Sequence, residues 1–390
     1  MQKVELIATA TFGLEAVVAE EVKKLGCEEV RVDNGKVTFR AGLSAIPRAN
    51  LWLRTADRVR LKLGEFRATT FEELFEQTKA LPWEEWIPED GAFPVEGKSV
   101  KSTLFSVPDC QAIVKKAVVE RLKQTYRRDW FEETGPLYKI EVALLKDTAT
   151  LTIDTSGPGL HKRGYRQWIG AAPLKETLAA AMILLSRWQP DQVLYDPFCG
   201  SGTIPIEAAL IGQNIAPGLN RSFASEQWPT IPRALWREAR AEAHDLAAYG
   251  RKLEIIGTDI DGEVLKVARH NAAEAAVEGQ IHFQRMAVGE WRTRKKYGCL
   301  IGNPPYGERL GSRGELAGLY RNLRELMQQL DSWSFYLLTA DERLEYQLGK
   351  QASKKRKLYN GNLKVDYYQF FGPRPPRPKP VGSAEKEAEG

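Results

Sequence analysis

The 390-residue sequence is short of cysteine, of histidine and of long apolar runs, and each shortage closes off a class of protein. Its four cysteines, Cys27, Cys110, Cys199 and Cys299, are widely spaced and form no CxxC pair. Neither a disulfide scaffold nor a thiolate zinc site is encoded, and no metal centre is expected. The four histidines, His161, His244, His270 and His282, fall in no nucleophile or metal-ligand spacing. The longest uninterrupted apolar run, Leu178–Leu185, has eight residues, against the roughly 20 that a membrane-crossing helix needs. The amino-terminal stretch MQKVELIATATFG puts Glu5 where an export signal would be apolar, and it lacks the Arg/Ser bias of a transit peptide. A cytoplasmic protein with no membrane partner is expected.

What the chain does contain is an ordinary globular composition, 43% apolar and 27% charged, over a length that suits two or three domains at roughly 150 residues each. The net charge is +5, but between Lys350 and Pro380 nine lysines and arginines face Asp366 alone. Such a segment is either a polyanion contact or a solvated surface.

The apolar spacing predicts a strand over 4–8, a helix over 13–25, two short strands around the Asn34-Gly35 turn, a helix over 43–53 and a strand over 59–66. This is the βαββαβ order of a ferredoxin-like layer spanning 1–66. Residues 67–156 read as a second α+β unit: helix 71–81, strand 99–105, a long helix 108–128 with many basic residues, and strands 138–145 and 149–154. After Gly157-Pro158-Gly159 short apolar strands alternate with helices, the order of a parallel α/β sheet over 157–372, with a hairpin at Asn360-Gly361 adding antiparallel strands. Residues 373–390 are Pro-rich and charged, and read as a disordered tail.

Three segments at predicted strand ends carry chemistry. In Asp196-Pro-Phe198-Cys-Gly200-Ser-Gly202-Thr203, two glycines let a ligand approach the backbone at a helix start. Pro205 occupies the place of a third dinucleotide-binding glycine and there is no GK[ST], so the expected ligand is nucleoside-like, without a pyrophosphate. In Gly257-Thr-Asp259-Ile260-Asp261, Asp259 suits a ribose and Asp261 suits a helix cap. The stretch 212–251 reads as an insertion near the pocket mouth. The third segment, Asn303-Pro304-Pro305-Tyr306, is the most specific. Two prolines end the strand rigidly, the Asn303 side chain and the Pro304 carbonyl can both accept from one NH2 group, and Tyr306 can stack on a planar base.

These residues carry a resemblance. DPFCGSGT, GTDID and NPPYGERL resemble the motifs of class I S-adenosylmethionine-dependent methyltransferases acting on exocyclic amines. With SGPGLHKRGYR, APLKETLAAA and the basic helix after SVPD, residues 3–375 look like the bacterial THUMP-domain RNA methyltransferases related to the 23S rRNA guanine-N2 enzyme. The resemblance implies a Rossmann-like methyltransferase domain preceded by a ferredoxin-like and THUMP α+β region. It implies S-adenosyl-L-methionine held by Asp196, Phe198, Gly200, Gly202, Thr203, Asp259 and Ile260, with Asn303, Pro304, Pro305 and Tyr306 as the catalytic set. The implied partner is RNA, 23S rRNA first and tRNA as the alternative. Many such enzymes place Asp or Asn after the third strand to meet the adenine; the segment from Phe283 to Trp291 has no Asp, and Glu290 or a backbone carbonyl is the substitute. An adenine-N6 methyltransferase would share NPPY. The mass available for substrate recognition lies at the amino terminus, however, which favours RNA over DNA.

Overall fold

In the computed structural model, which describes residues 3–166, 174–305 and 313–376, the chain builds two seven-stranded sheets. The first is formed from β1 (Lys3–Ala10), α1 (Glu15–Lys24), β2 (Glu28–Asp33), β3 (Lys36–Gly42), α2 (Ala45–Trp52) and β4 (Ala56–Arg67), continued by α3 (Phe71–Lys79), β5 (Val95–Val100), α4 (Val107–Tyr126), β6 (Ile140–Leu145) and β7 (Thr148–Asp154). Its strand order is β2-β3-β1-β4-β7-β6-β5. β4 pairs antiparallel with β7, so the ferredoxin-like and THUMP-like units share one continuous sheet.

One expectation changes here. The strand expected over 99–105 lies instead at Val95–Val100, paired in parallel with β6. The chain leaves the sheet at Lys101, where φ is +51°, and Phe105 is 82% exposed. The basic helix, α4, spends most of its charge inside its own unit. Lys115 binds the Phe93 carbonyl (3.1 Å) and Glu133, Arg121 binds Glu84, Lys123 binds Glu120, and Arg128, just past the helix, binds Glu89.

The second sheet comprises α5 (Glu176–Leu184), β8 (Leu194–Asp196), α6 (Thr203–Gly212), α7 (Arg233–Asp245), β9 (Ile255–Asp259), α8 (Gly262–Glu274), β10 (Ile281–Arg285), β11 (Cys299–Gly302), α9 (Arg313–Gln329), β12 (Ser334–Thr339), α10 (Leu344–Leu348), β13 (Lys354–Asn360) and β14 (Leu363–Phe370). The order is β10-β9-β8-β11-β12-β14-β13. The first five strands are parallel, and the β13–β14 hairpin is antiparallel. Strands β8, β11 and β12 are wholly buried, as a parallel sheet covered on both faces requires. The strand order reverses between β8 and β11, and ligands of open α/β sheets bind in the crevice at such a reversal, beyond the carboxyl ends of the strands. No helix among the described residues is long and apolar enough to cross a membrane.

The insertion 212–251, expected near a pocket mouth, lends Arg221 and Ser222 to the lining of a cavity and also braces the two halves of the molecule. Trp228, Ile231 and Trp236 join the hydrophobic core of the amino-terminal sheet, with Trp228 stacked on Tyr138 at 4.6 Å. On α7, Glu242 takes two N–H groups of Arg48, both at 2.9 Å. The insertion is rich in Trp because it fills a core.

Candidate active site

β8 ends at Asp196, and the chain turns through two left-handed glycines, Gly200 (φ +51°) and Gly202 (φ +85°), into α6. A Cβ at Gly202 would lie 3.1 Å from both the Ala268 Cβ and the Phe283 Cζ, so glycine is needed for the packing of α6 on its neighbours. A Cβ at Gly200 would meet nothing within 4 Å: the space beside it is open. Across the strand reversal, Gly302 ends β11 so close to β8 that a Cβ would sit 3.3 Å from the Asp196 Oδ1.

Two buried acceptors at these adjoining strand ends have no hydrogen-bond partner among the described residues. Asp196 Oδ1 accepts the Phe198 amide at 3.0 Å, while Asp196 Oδ2 has no hydrogen-bond partner among the described residues. Burial pushes this carboxyl well above the usual carboxylate range, against the pull of the Phe198 amide. Asn303, directly after β11, likewise leaves its buried Oδ1 unpartnered, with Pro304 buried behind it and Pro305 partly so. A buried polar atom left unpaired costs roughly 1 to 3 kcal/mol, so a pair of them at adjoining strand ends points to a donor that arrives from outside the chain. Tyr306 lies outside the described residues.

At the end of β9, Asp259 is tied into the loop. Its Oδ2 accepts the Gly200 amide and its Oδ1 the Asp261 amide, both at 3.0 Å. Asp261 caps α8 through the Glu263 amide at 2.8 Å. Ile260, between them in sequence, is 69% exposed, an apolar side chain left open at a strand end. The Met286 amide binds the Asp259 carbonyl at 3.0 Å, which anchors the turn after β10 beside this strand end. In that turn Glu290 is exposed and its carboxylate accepts the Ala287 amide at 3.0 Å, while the next residue, Trp291, is buried and stacks on Tyr195 at 4.2 Å.

Residue-level reading missed the group that holds the loop from behind. Arg166 donates to Thr203 Oγ1 (2.9 Å), Ser201 Oγ (3.1 Å), the Glu176 carboxylate (3.1 Å) and the Leu174 carbonyl (3.0 Å). Thr203, expected at the cofactor, thus spends its hydroxyl oxygen on Arg166. Nearby, the fully buried Arg163 pairs with Glu207 on α6 at 3.3 Å and donates to the Arg54 carbonyl of the amino-terminal half. Burial lifts the Glu176 carboxyl, and Arg166 opposes the rise. The signal for this cluster was present only as the quoted SGPGLHKRGYR and APLKE segments, because ion pairs between distant residues leave no periodic trace.

Comparison with known proteins agrees with this architecture. The model of the RMKL-like methyltransferase domain matches residues 163–369, the RlmL ferredoxin-like domain matches 5–60, and the THUMP domain matches 68–154. YpsC of Bacillus subtilis is 55% identical over 97% of this chain and 99% of its own length. The ribosomal RNA large subunit methyltransferase K/L of Methylococcus capsulatus is 34% identical over 97% of this chain, which spans 53% of that longer protein. Among solved structures, a predicted N6-adenine-specific DNA methylase from Listeria monocytogenes is 56% identical with a TM-score of 0.92, over 96% of this chain and 97% of that one. SMU.472, whose solved structure is a complex with S-adenosylhomocysteine, is 48% identical with a TM-score of 0.91, over 96% of this chain and all of that one. With a strand order that reverses between β8 and β11, and with ferredoxin-like and THUMP units ahead of that sheet, the chain belongs to the RMKL-like methyltransferase family.

Proposed function

We propose that this protein transfers a methyl group from S-adenosyl-L-methionine to an exocyclic amine of an RNA base, guanine N2 in 23S rRNA being the favoured acceptor. The observation that carries the reading is the pair of buried, unpartnered acceptors at adjoining strand ends, Asp196 Oδ2 and Asn303 Oδ1. The first suits the cationic amino group of the cofactor and the second an amine hydrogen of the base. The open space beside Gly200, the Asp259 carboxylate and the exposed Ile260 fit the sugar and adenine of a nucleoside, and Phe198 and Thr203 flank the same loop. Glu290 is the proposed polar contact to the adenine edge.

When bound, the cofactor supplies a methyl group already activated on a sulfonium. The protein's task is alignment, which supplies roughly 7 to 11 kcal/mol in well-oriented reactions. Asn303 Oδ1 and the Pro304 carbonyl accept the two amine hydrogens, turn the nitrogen lone pair toward the methyl and stabilise the charge that grows on nitrogen. Pro304 and Pro305 hold that backbone rigid, and Tyr306 clamps the base. The amine proton becomes acidic as the bond forms, so the site needs no strong general base. In this reading residues 67–156, with 1–66, grip structured RNA, while 157–372 carries the chemistry on a base turned out of its stack. The ribosomal RNA named for the K/L relative supports rRNA over tRNA. Adenine N6 is the second reading, because Asn-Pro-Pro reads an amino group and not the rest of the base.

Nucleoside mass spectrometry of rRNA and tRNA from a strain lacking the gene, with and without complementation, tests this. One N2-methylguanosine lost from 23S rRNA and restored by the gene is expected. A lost ring-carbon or ribose methyl would overturn it, and a lost N6-methyladenosine would replace it with the second reading.

A further inference from the structure

We propose that the cavity between the 158–166 linker, the start of α5 and the tip of the β13–β14 hairpin is a phosphate subsite that grips the RNA backbone next to the acceptor base. The inference rests on the RNA reading above and names where that RNA is held.

The cavity measures about 760 Å³ and is separate from the glycine loop and from Asn303. Five cations line it, Lys162, Arg163, Arg166, Lys175 and Arg221, against one carboxylate, Glu176. Of the acids beside it, Glu176 pairs with Arg166 at 3.1 Å and Glu207 with Arg163 at 3.3 Å, while the carboxyl of Asp57, raised by burial and pulled back by Lys175, accepts the Thr11 hydroxyl at 3.2 Å. Lys162 is exposed and Lys175 half-buried, and neither forms an ion pair among the described residues.

The surplus of positive charge is felt by the walls. His161 in the same wall is pushed down to about 4, first by burial and then by Lys175, Lys162, Arg163 and Arg58. Arg221 is lowered to about 10, first by burial and then by Arg163 and Arg58. An anion entering the cavity relieves that repulsion, and a phosphate oxygen is the acceptor that convergent Lys and Arg groups recognise.

The cavity is shaped in advance. Arg221 donates to the carbonyls of Gly159 (2.6 Å) and Lys162 (2.9 Å), and so sets the linker's course. Gly164, at φ +103°, lies so close to Asn220 that a Cβ would come 2.3 Å from its carbonyl oxygen. One side chain connects the cavity to the chemistry: the Arg166 guanidinium that lines it also holds Ser201 and Thr203 of the glycine loop. A phosphate bound here belongs to a nucleotide adjacent to the one being methylated.

The test is a salt series of anisotropy titrations with a fluorescein-labelled RNA stem-loop carrying a single-stranded flank. It compares the wild-type chain with a Lys162→Gln, Lys175→Gln double variant and a Lys23→Gln, Lys24→Gln control on α1. Loss of one phosphate contact should flatten the slope of log affinity against log salt by about 0.7 to 0.9 in the pocket variant. The control slope should stay at the wild-type value, and calorimetric affinity for S-adenosylhomocysteine should be unaltered in both. An unchanged slope in the pocket variant, or an equal flattening in the control, would overturn the subsite. So would a loss of S-adenosylhomocysteine affinity at constant slope, which would make the cavity part of the cofactor site. Wild-type protein that fails to bind the stem-loop would overturn the RNA reading itself.

Discussion

Gly200 donates its amide to the Asp259 Oδ2 at 3.0 Å, so the glycine loop after β8 and the carboxylate that closes β9 move as one hydrogen-bonded unit. Asp259→Ala removes both the anchor of the loop and the acceptor offered to a ribose. Charge-assisted hydrogen bonds contribute roughly 1.5 to 3 kcal/mol, so calorimetry should show S-adenosylhomocysteine binding weakened by about 10- to 150-fold. Unchanged affinity would detach Asp259 from the cofactor.

The Arg163–Glu207 pair is 2% and 0% exposed at its side chains, with Tyr165 donating to the same carboxylate at 3.1 Å. Truncating one partner of a buried pair strands the other charge, at a cost of roughly 3 to 5 kcal/mol. Glu207→Ala should therefore lower stability by about that amount in urea unfolding. Because Arg163 also holds the Arg54 carbonyl, the same variant should loosen the two halves of the molecule and raise protease sensitivity in the 157–166 linker. A loss below about 1 kcal/mol would contradict this account.

His161 gives a pH signature. Its folded value of about 4 lies below the ordinary 6.5, so between these values the unfolded chain binds the proton and the folded chain does not. The contribution is fully present above pH 6.5 and is lost as pH falls toward 4. Stability measured across that window should fall less steeply in His161→Gln than in the wild type. Parallel curves would show that the imidazole titrates normally in the folded protein.

Much of the fold was legible because it is local. Asn34-Gly35 and Asn360-Gly361 place their glycines at φ +74° and +64° between paired strands, and the apolar strand ends fell where Asp196, Asp259 and Asn303 now stand. What was not legible is nonlocal. The β4–β7 pairing that fuses two units into one sheet, the insertion whose tryptophans fill a distant core and the Arg166 bracket behind the glycine loop all join residues tens of positions apart. The strand expected over 99–105 was misplaced because its apolar end, Phe105, is a surface residue.

The central claim is that the unpartnered Asn303 Oδ1 orients an exocyclic amine for methyl transfer. Its most direct test is the single-turnover rate of methyl transfer from S-adenosyl-L-methionine to 23S rRNA by Asn303→Ala at saturating RNA. Removing one preorganised acceptor from such a site costs roughly 10² to 10³ in rate, so the variant should be slowed by about that factor while its RNA affinity stays within about twofold of wild type. An Asn303→Ala protein that methylates at the wild-type rate would contradict the account.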